Sequence, residues 1–317
     1  MDNTGNTRKS AAFIYVVDPP ILTLEAILLS ASVRRHLPDA ELIAYCPSEK
    51  VGQLPLPLRE YMEEINTRFE LMDTRGYFPK PYGHGNKLIA AAQPRPHEYT
   101  IFLDTDVVIW QPFDMEAMVA PNVISAAPEG RRTWGKPVGD WDAAYSVFNM
   151  TTPEERIRMA RTGVESPPYF NAGVVSFPNG PVGEFSNFGE CWLKTAIELD
   201  DPKHGIPERR PWLDQIALPI AIRRAGLDYR VLDDRYNLSL THKVLTPEMK
   251  PHMAAKVQKE IDRLNSFDPM ILHYHNFDAP GGLRYEGYLD DLIRENTVFK
   301  NLAAARRRLN AISAQQS

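Results

Sequence analysis

Cysteine is scarce: two, Cys46 and Cys191, in 317 residues. Two cysteines make no disulfide framework, and neither has a zinc-spaced partner beside it; both read as small core residues. Long apolar runs are missing too. None approaches the roughly 18 residues that a membrane span needs, and residues 1–10 are polar, with no apolar signal core. The expected location is therefore the cytoplasm, with no transmembrane segment. Excess positive charge is also absent: the net charge is −5, so no global basic field invites nucleic acid. No repeat appears at solenoid periods. Proline, in contrast, is plentiful at 27 residues, which implies long irregular connections. A chain 43% hydrophobic and 24% charged has the composition of a globular protein. At about 150 residues per domain it allows one large domain or two small ones.

Residues 12–17 read as a first strand, ended by Asp18-Pro19-Pro20. Residues 24–37 carry apolar side chains at helical spacing up to Pro38, and residues 42–45 form a second strand stopped by Pro47. Strand, helix, strand implies a parallel crossover and an α/β sheet. A helix follows over 58–65 and a strand over 69–72. Then comes a Gly- and Pro-rich loop, 76–85, whose aromatics could line a pocket, and a helix from Lys87 to Ala92. Further on, the spacing predicts a strand over 123–126, a mobile loop over 131–142, and a helix over 153–161 capped by Thr152. After these come a strand over 169–177, a helix over 184–199, and a helix from Trp212 to Arg224 interrupted by Pro219. A strand over 229–232, a helical excursion over 245–267, a strand over 271–275 and a terminal helix from Tyr288 to about Ile312 complete the chain. A disordered leader is expected up to about residue 11.

The stretch 99–114 organises the rest. Ile101, Phe102 and Leu103 end one apolar run and Val107, Val108, Ile109 and Trp110 form another, with Asp104 and Asp106 between them. Apolar runs of this kind are covered on both faces. Two close carboxylates in such a place repel, and one then holds a proton. A divalent cation with a preference for oxygen ligands, Mg²⁺ or Mn²⁺, resolves the conflict. The competing reading is a polar turn with both carboxylates in water. Ligands of open α/β sheets bind beyond the carboxyl ends of the strands, and this pair sits at such an end.

Four motifs follow one another: Phe102-Leu103-Asp104-Thr105-Asp106-Val107, Phe170-Asn171-Ala172-Gly173-Val174, Asp214-Gln215-Ile216-Ala217-Leu218 and Ile271-Leu272-His273-Tyr274. In this order and approximate spacing they resemble the GT-A-fold glycosyltransferases that use nucleotide-diphosphate sugars. The resemblance is strongest to the glycogenin-like and bacterial lipopolysaccharide galactosyltransferase-like group, glycosyltransferase family 8, and runs from Phe13 to about His275. It implies a Rossmann-like mixed sheet flanked by helices. A glycosyltransferase domain would span about 12–285, with a nucleotide-sugar half to about 130, an acceptor half from 131, and a C-terminal helical extension over 286–317.

The same resemblance implies roles. Asp104 and Asp106 would bind Mn²⁺ (or Mg²⁺) and through it the donor diphosphate, with Thr105 between them. His273 would be the third protein ligand, with His275 as the alternative. Lys87 would face the donor phosphates, and Asn171, Asp214 and Gln215 would line the sugar side. The nucleobase would pack near Tyr15, Val17 and Asp18. The family's Lys in Gly-x-x-Lys-Pro-Trp has no counterpart between Asn276 and Arg284; Arg284 is the substitute, at a different offset. UDP is the expected nucleotide, retention the expected stereochemistry, and a carbohydrate or glycoconjugate the expected acceptor. Two other functions compete. A sugar nucleotidyltransferase would need a Gly-rich basic loop after the first strand, which Asp18-Pro19-Pro20 is not. A non-catalytic nucleotide-sugar- or carbohydrate-binding protein would have no need of the Asp-x-Asp and the late His. Arg306, Arg307 and Arg308 close the last helix as a weak peripheral membrane contact or as cations that complement its dipole.

Overall fold

The computed structural model describes residues 10–315 except 242, 244 and 278–280; the expected leader lies almost wholly outside them. In chain order the elements are β1 (Ala11–Val16), α1 (Thr23–His36), β2 (Glu41–Pro47), α2 (Leu56–Glu64), β3 (Arg68–Met72), α3 (Gly85–Ala92), β4 (Tyr99–Leu103), β5 (Val107–Ile109), β6 (Val123–Pro128) and α4 (Val138–Ser146). There follow β7 (Ile157–Arg158), β8 (Glu165–Ser166), β9 (Phe170–Pro178), α5 (Phe188–Asp200), α6 (Leu213–Arg224), β10 (Asp228–Val231), β11 (Leu238–Ser239), α7 (Pro251–Ser266), β12 (Ile271–His273), α8 (Glu286–Glu295) and α9 (Thr297–Gln315). A mixed sheet of seven strands flanked by helices makes this an α/β fold.

The chain folds as two compact units. The first takes Met1–Tyr15, Met72–Leu103 and Asp114–Leu232. Its strands run in the order β10-β6-β9-β4-β1. The pairs β1–β4 and β6–β10 are parallel, while β9 runs antiparallel to both β4 and β6. Every residue of β1 and β4 is buried, which is why these strands read as unbroken apolar runs rather than alternating ones. Helix α5 packs on both α3 and α6, and α6 packs on β9. A Cβ added to Gly189 of α5 would lie 2.1 Å from the carbonyl oxygen of Ala91 in α3, so glycine lets those two helix backbones touch.

The second unit takes Val16–Leu71, Asp104–Phe113 and Asp233–Ser317. It holds β2 and β3, and a small sheet in the order β11-β12-β5. There β12 is parallel to β11 and antiparallel to β5, with Leu272 opposite both Leu238 and Val108. Helix α1 packs on β5, where Ser32 Oγ accepts the backbone N–H of Ile109 at 2.9 Å. Helices α8 and α9 pack on α1 and on each other.

Four expectations need correction. Residues 153–161 do not form a helix. The segment turns at Gly163, φ +64°, and pairs β7 with β8 as a short local hairpin, while Ala160 and Arg161 donate their N–H groups to Glu129 O and Gly130 O, both at 3.0 Å, in place of helical bonds. The 131–142 loop is not loose: α4 begins inside it, and Trp134 and Trp141 are buried with ring centroids 5.0 Å apart. Helix α6 runs through Pro219 without a break; the proline withholds one N–H, and burial of the surrounding turns outweighs that loss. The terminal helix is two helices, α8 and α9, divided at Asn296, whose Oδ1 accepts the N–H of Phe299 at 2.8 Å as a cap.

Candidate active site

In the second unit, Asp104-Thr105-Asp106 forms the turn between the buried strands β4 and β5, with Val107 N–H donating to Asp104 O at 3.3 Å. Thr105 is 5% exposed, and its hydroxyl donates to Val16 O at 2.5 Å. That bond pins the turn to the end of β1, so Thr105 acts through the backbone. Asp104 and Asp106 are half-buried, less covered than their apolar flanks imply.

Asp106 meets two histidines. Its Oδ1 lies 3.2 Å from His273 Nε2 and its Oδ2 lies 3.8 Å from His275 Nδ1. The Asp106, His273 and His275 ligand atoms all fall within 4.8 Å of one another, a grouping that does not include Asp104. His273 closes β12. His275 follows with φ +59°, so a turn rather than continued strand alternation brings both rings to one carboxylate. Each ring is oriented by its other nitrogen. His273 Nδ1 lies 3.0 Å from Asn237 Oδ1, so a proton on Nδ1 would leave the Nε2 lone pair for an ion. His275 Nε2 lies 2.8 Å from Ser239 Oγ. Desolvation is the largest cause that lowers the His275 pKa, which favours the neutral ring. Neutral imidazoles held by outer partners are the form in which histidine binds metal. One carboxylate and two imidazoles fit a divalent first-row ion better than Mg²⁺, which favours oxygen and water.

The expected nucleobase positions are divided. Tyr15 and Val17 are fully buried and offer no side-chain surface, whereas Asp18 pairs with Lys50 at 2.5 Å. Arg284 bonds Phe267 O and lies 3.6 Å from Asp268. Glu25 on α1 was not legible in the sequence as part of this neighbourhood. Burial raises its pKa, Asp106 adds to the rise and Arg306 opposes it.

In the first unit the structure joins Lys87 to Asp214. Lys87 Nζ is 2.9 Å from Asp214 Oδ2 and donates to Ala172 O at 3.3 Å. Both side chains are buried, at 11% and 5% exposure, and the lysine pairs with a carboxylate. Tyr82, from the 76–85 loop, donates to Asp214 Oδ1 at 3.1 Å, and Trp192 donates its indole N–H to Asp214 O at 2.9 Å. Gln215 is 9% exposed, and its buried Oε1 has no partner. Asn171 donates to Glu129 Oε2 at 2.9 Å and accepts the Gly173 N–H at 2.9 Å. Tyr82 and Glu129 lie outside the four motifs, and only spatial convergence reveals them.

Solved glycosyltransferases share this architecture. An active-site mutant of LgtC superposes with a TM-score of 0.50 at 13% identity, over 90% of this chain and 96% of that one. GlyE of Streptococcus pneumoniae TIGR4 superposes with a TM-score of 0.51 at 16% identity, over 94% of this chain and 64% of that one. The bifunctional glycosyltransferase WbbM is matched at a TM-score of 0.45 and 11% identity, over 92% of this chain and 53% of that one. This chain therefore spans about half of WbbM (53%) and under two thirds of GlyE (64%). The class is a glycosyltransferase of GT-A fold. Residues 13–226 match the Rhodobacterales glycosyltransferase domain, and the chain belongs to that family. No curated protein matches it significantly.

Proposed function

We propose that this glycosyltransferase moves a sugar from a nucleotide-diphosphate donor, with UDP as the nucleotide, to a hydroxyl of a carbohydrate or glycoconjugate. The transfer depends on a divalent ion, Mn²⁺ rather than Mg²⁺, and retains the anomeric configuration. The observation that carries the reading is the convergence of Asp106, His273 and His275 one residue after Asp104 and Thr105. Those three residues would hold the ion, with Asp104 beside them. When bound, such an ion neutralises charge on a leaving diphosphate as a Lewis acid.

The sugar side is assigned to Asn171, Asp214 and Gln215. The unpartnered Gln215 Oε1 is an acceptor that wants a hydroxyl, since a buried polar atom without a partner costs about 1–3 kcal/mol. Lys87 orients Asp214 by direct pairing. Burial of these groups keeps water from competing with the acceptor.

Calorimetric titration of UDP and UDP-sugars, with and without Mn²⁺, tests the reading. The wild type should bind far more tightly with the ion, and Asp106→Ala should lose that dependence while its fold, judged by circular dichroism, survives. Unchanged Mn²⁺ dependence in both Asp106→Ala and His273→Ala would sink the assignment. Release of pyrophosphate from UTP and a sugar 1-phosphate, in place of UDP from a UDP-sugar, would show a nucleotidyltransferase instead.

A further inference from the structure

The segment between α5 and α6 acts as a fastening as well as a connection. Asp200, at the end of α5, is 3% exposed and meets two guanidiniums. Arg209 donates to its Oδ1 at 3.1 Å; Arg210 donates through Nε to Oδ1 at 3.0 Å and through Nη2 to Oδ2 at 2.5 Å. The remaining Arg210 donors reach the 76–85 loop, Nη1 to Pro81 O and Nη2 to Lys80 O, both at 2.9 Å. The same guanidinium lies over the Tyr82 ring, 4.8 Å from its centroid. One planar fork thus binds a carboxylate, two carbonyls and an aromatic face, a combination that lysine cannot reproduce.

Tyr82 passes this restraint to Asp214. Its hydroxyl lies 2.7 Å from Pro211 O and 3.1 Å from Asp214 Oδ1, while Lys87 occupies Oδ2 at 2.9 Å. The single Tyr82 proton is shared between Pro211 O and Asp214 Oδ1, while Lys87 donates to Oδ2, and each carboxylate oxygen can accept a further hydrogen bond. Contacts at both oxygens restrain the carboxylate plane. Gly85 permits the approach, since a Cβ there would lie 2.8 Å from the Tyr82 ring and 2.5 Å from the Phe78 ring.

We propose that Tyr82, held by Arg210, is a positioning residue for transfer: it fixes the plane of the Asp214 carboxylate, so that the carboxylate's open lone pairs meet donor-sugar hydroxyls in one orientation. The inference rests on the reading that Asp214 faces the donor sugar. Neither residue needs to touch the sugar.

The test is a set of variants assayed as UDP released from UDP-glucose, UDP-galactose and UDP-N-acetylglucosamine with Mn²⁺. Tyr82→Phe keeps the ring and its stacking, and Arg210→Lys keeps the charge; Arg209 still pairs Asp200 in that variant, so the fold survives. Each should lower kcat about tenfold and change KM less than about threefold, a split expected when geometry rather than binding is lost. The double variant should be no worse than either single one beyond about twofold. In an Asp214→Asn background, Tyr82→Phe should add less than about twofold. Additive losses, or full activity in both single variants while Asp214→Asn is impaired, would overturn the proposal and leave the reading of Asp214 standing. An unimpaired Asp214→Asn, or a wild type that neither binds nor turns over any of the three donors, would defeat that reading first and this inference with it.

Discussion

Asp214 is where residue-scale chemistry bears on stereochemistry. Retention requires either a carboxylate that attacks the anomeric carbon or a front-face route in which the leaving phosphate takes the acceptor's proton. Both Asp214 oxygens already accept hydrogen bonds, from Tyr82 and Lys87. A carboxylate so engaged is a poor nucleophile and a good holder of hydroxyls, which favours the front-face route. Asp214→Asn should therefore lower kcat only about tenfold, or ~1.4 kcal/mol of barrier. Its melting temperature must be followed in parallel, because the change leaves the buried Lys87 without its counter-charge. A rate loss of about 10⁴ or more would make Asp214 the nucleophile. Proton NMR of the first-formed product checks the outcome directly: a β-linked product from an α-linked donor would rule out retention by either route. The metal-side residues teach a related lesson. The sequence left His273 and His275 as alternatives, and the structure brings both to Asp106, because the chain turns at His275.

Among the elements, α3, α5 and α6 set the geometry of the residues proposed to line the sugar. Helix α3 carries Lys87, α5 supplies Trp192 to the Asp214 carbonyl, and the first turn of α6 carries Asp214 and Gln215. Their spacing depends on Gly189, where a Cβ would lie 2.1 Å from one backbone atom of α3 and 2.3 Å from another. Backbone cannot give way as a flexible side chain can. Gly189→Ala should destabilise the protein by about 1–3 kcal/mol, the range for overpacking a well-packed core. It should also lower activity, because separating α3 from α5 stretches the Lys87–Asp214 pair. Thermal denaturation and UDP release measured on one preparation check both parts; an unchanged melting temperature would mean that the helices part at no cost.

For the whole molecule, ligand binding should register as stability by mass action. At free ligand 100 times its dissociation constant, a site present only in the folded state adds ~2.7 kcal/mol. UDP together with Mn²⁺ should raise the melting temperature more than the sum of their separate effects. CMP with Mn²⁺ should do less, and Asp106→Ala should abolish the synergy. Equal shifts from every nucleotide would point to a site that reads only phosphate. On α9, Arg306 opposes the raised pKa of Glu25. No described helix is long and apolar enough to cross a membrane.

Local physics made much of this legible in advance. Apolar runs bounded by proline and glycine located β1, β2, β4 and β9, since a strand buried on both faces must be apolar throughout. Helical spacing located α1, α5 and α7, and the Asp-x-Asp turn followed from two carboxylates set between such runs. The sequence alone therefore determined the α/β class and the order of the motifs. Tertiary structure alone decided which charges meet. Lys87 pairs with Asp214 rather than standing free, Arg210 grips a loop far from it in sequence, and the tryptophans of 131–142 are buried rather than mobile. It also decided that Ala160 bonds the distant Glu129 rather than continuing a helix. Periodicity reports only neighbours a few residues apart along the chain. Pairing between distant residues depends on where folding places their backbones, and no local pattern encodes that.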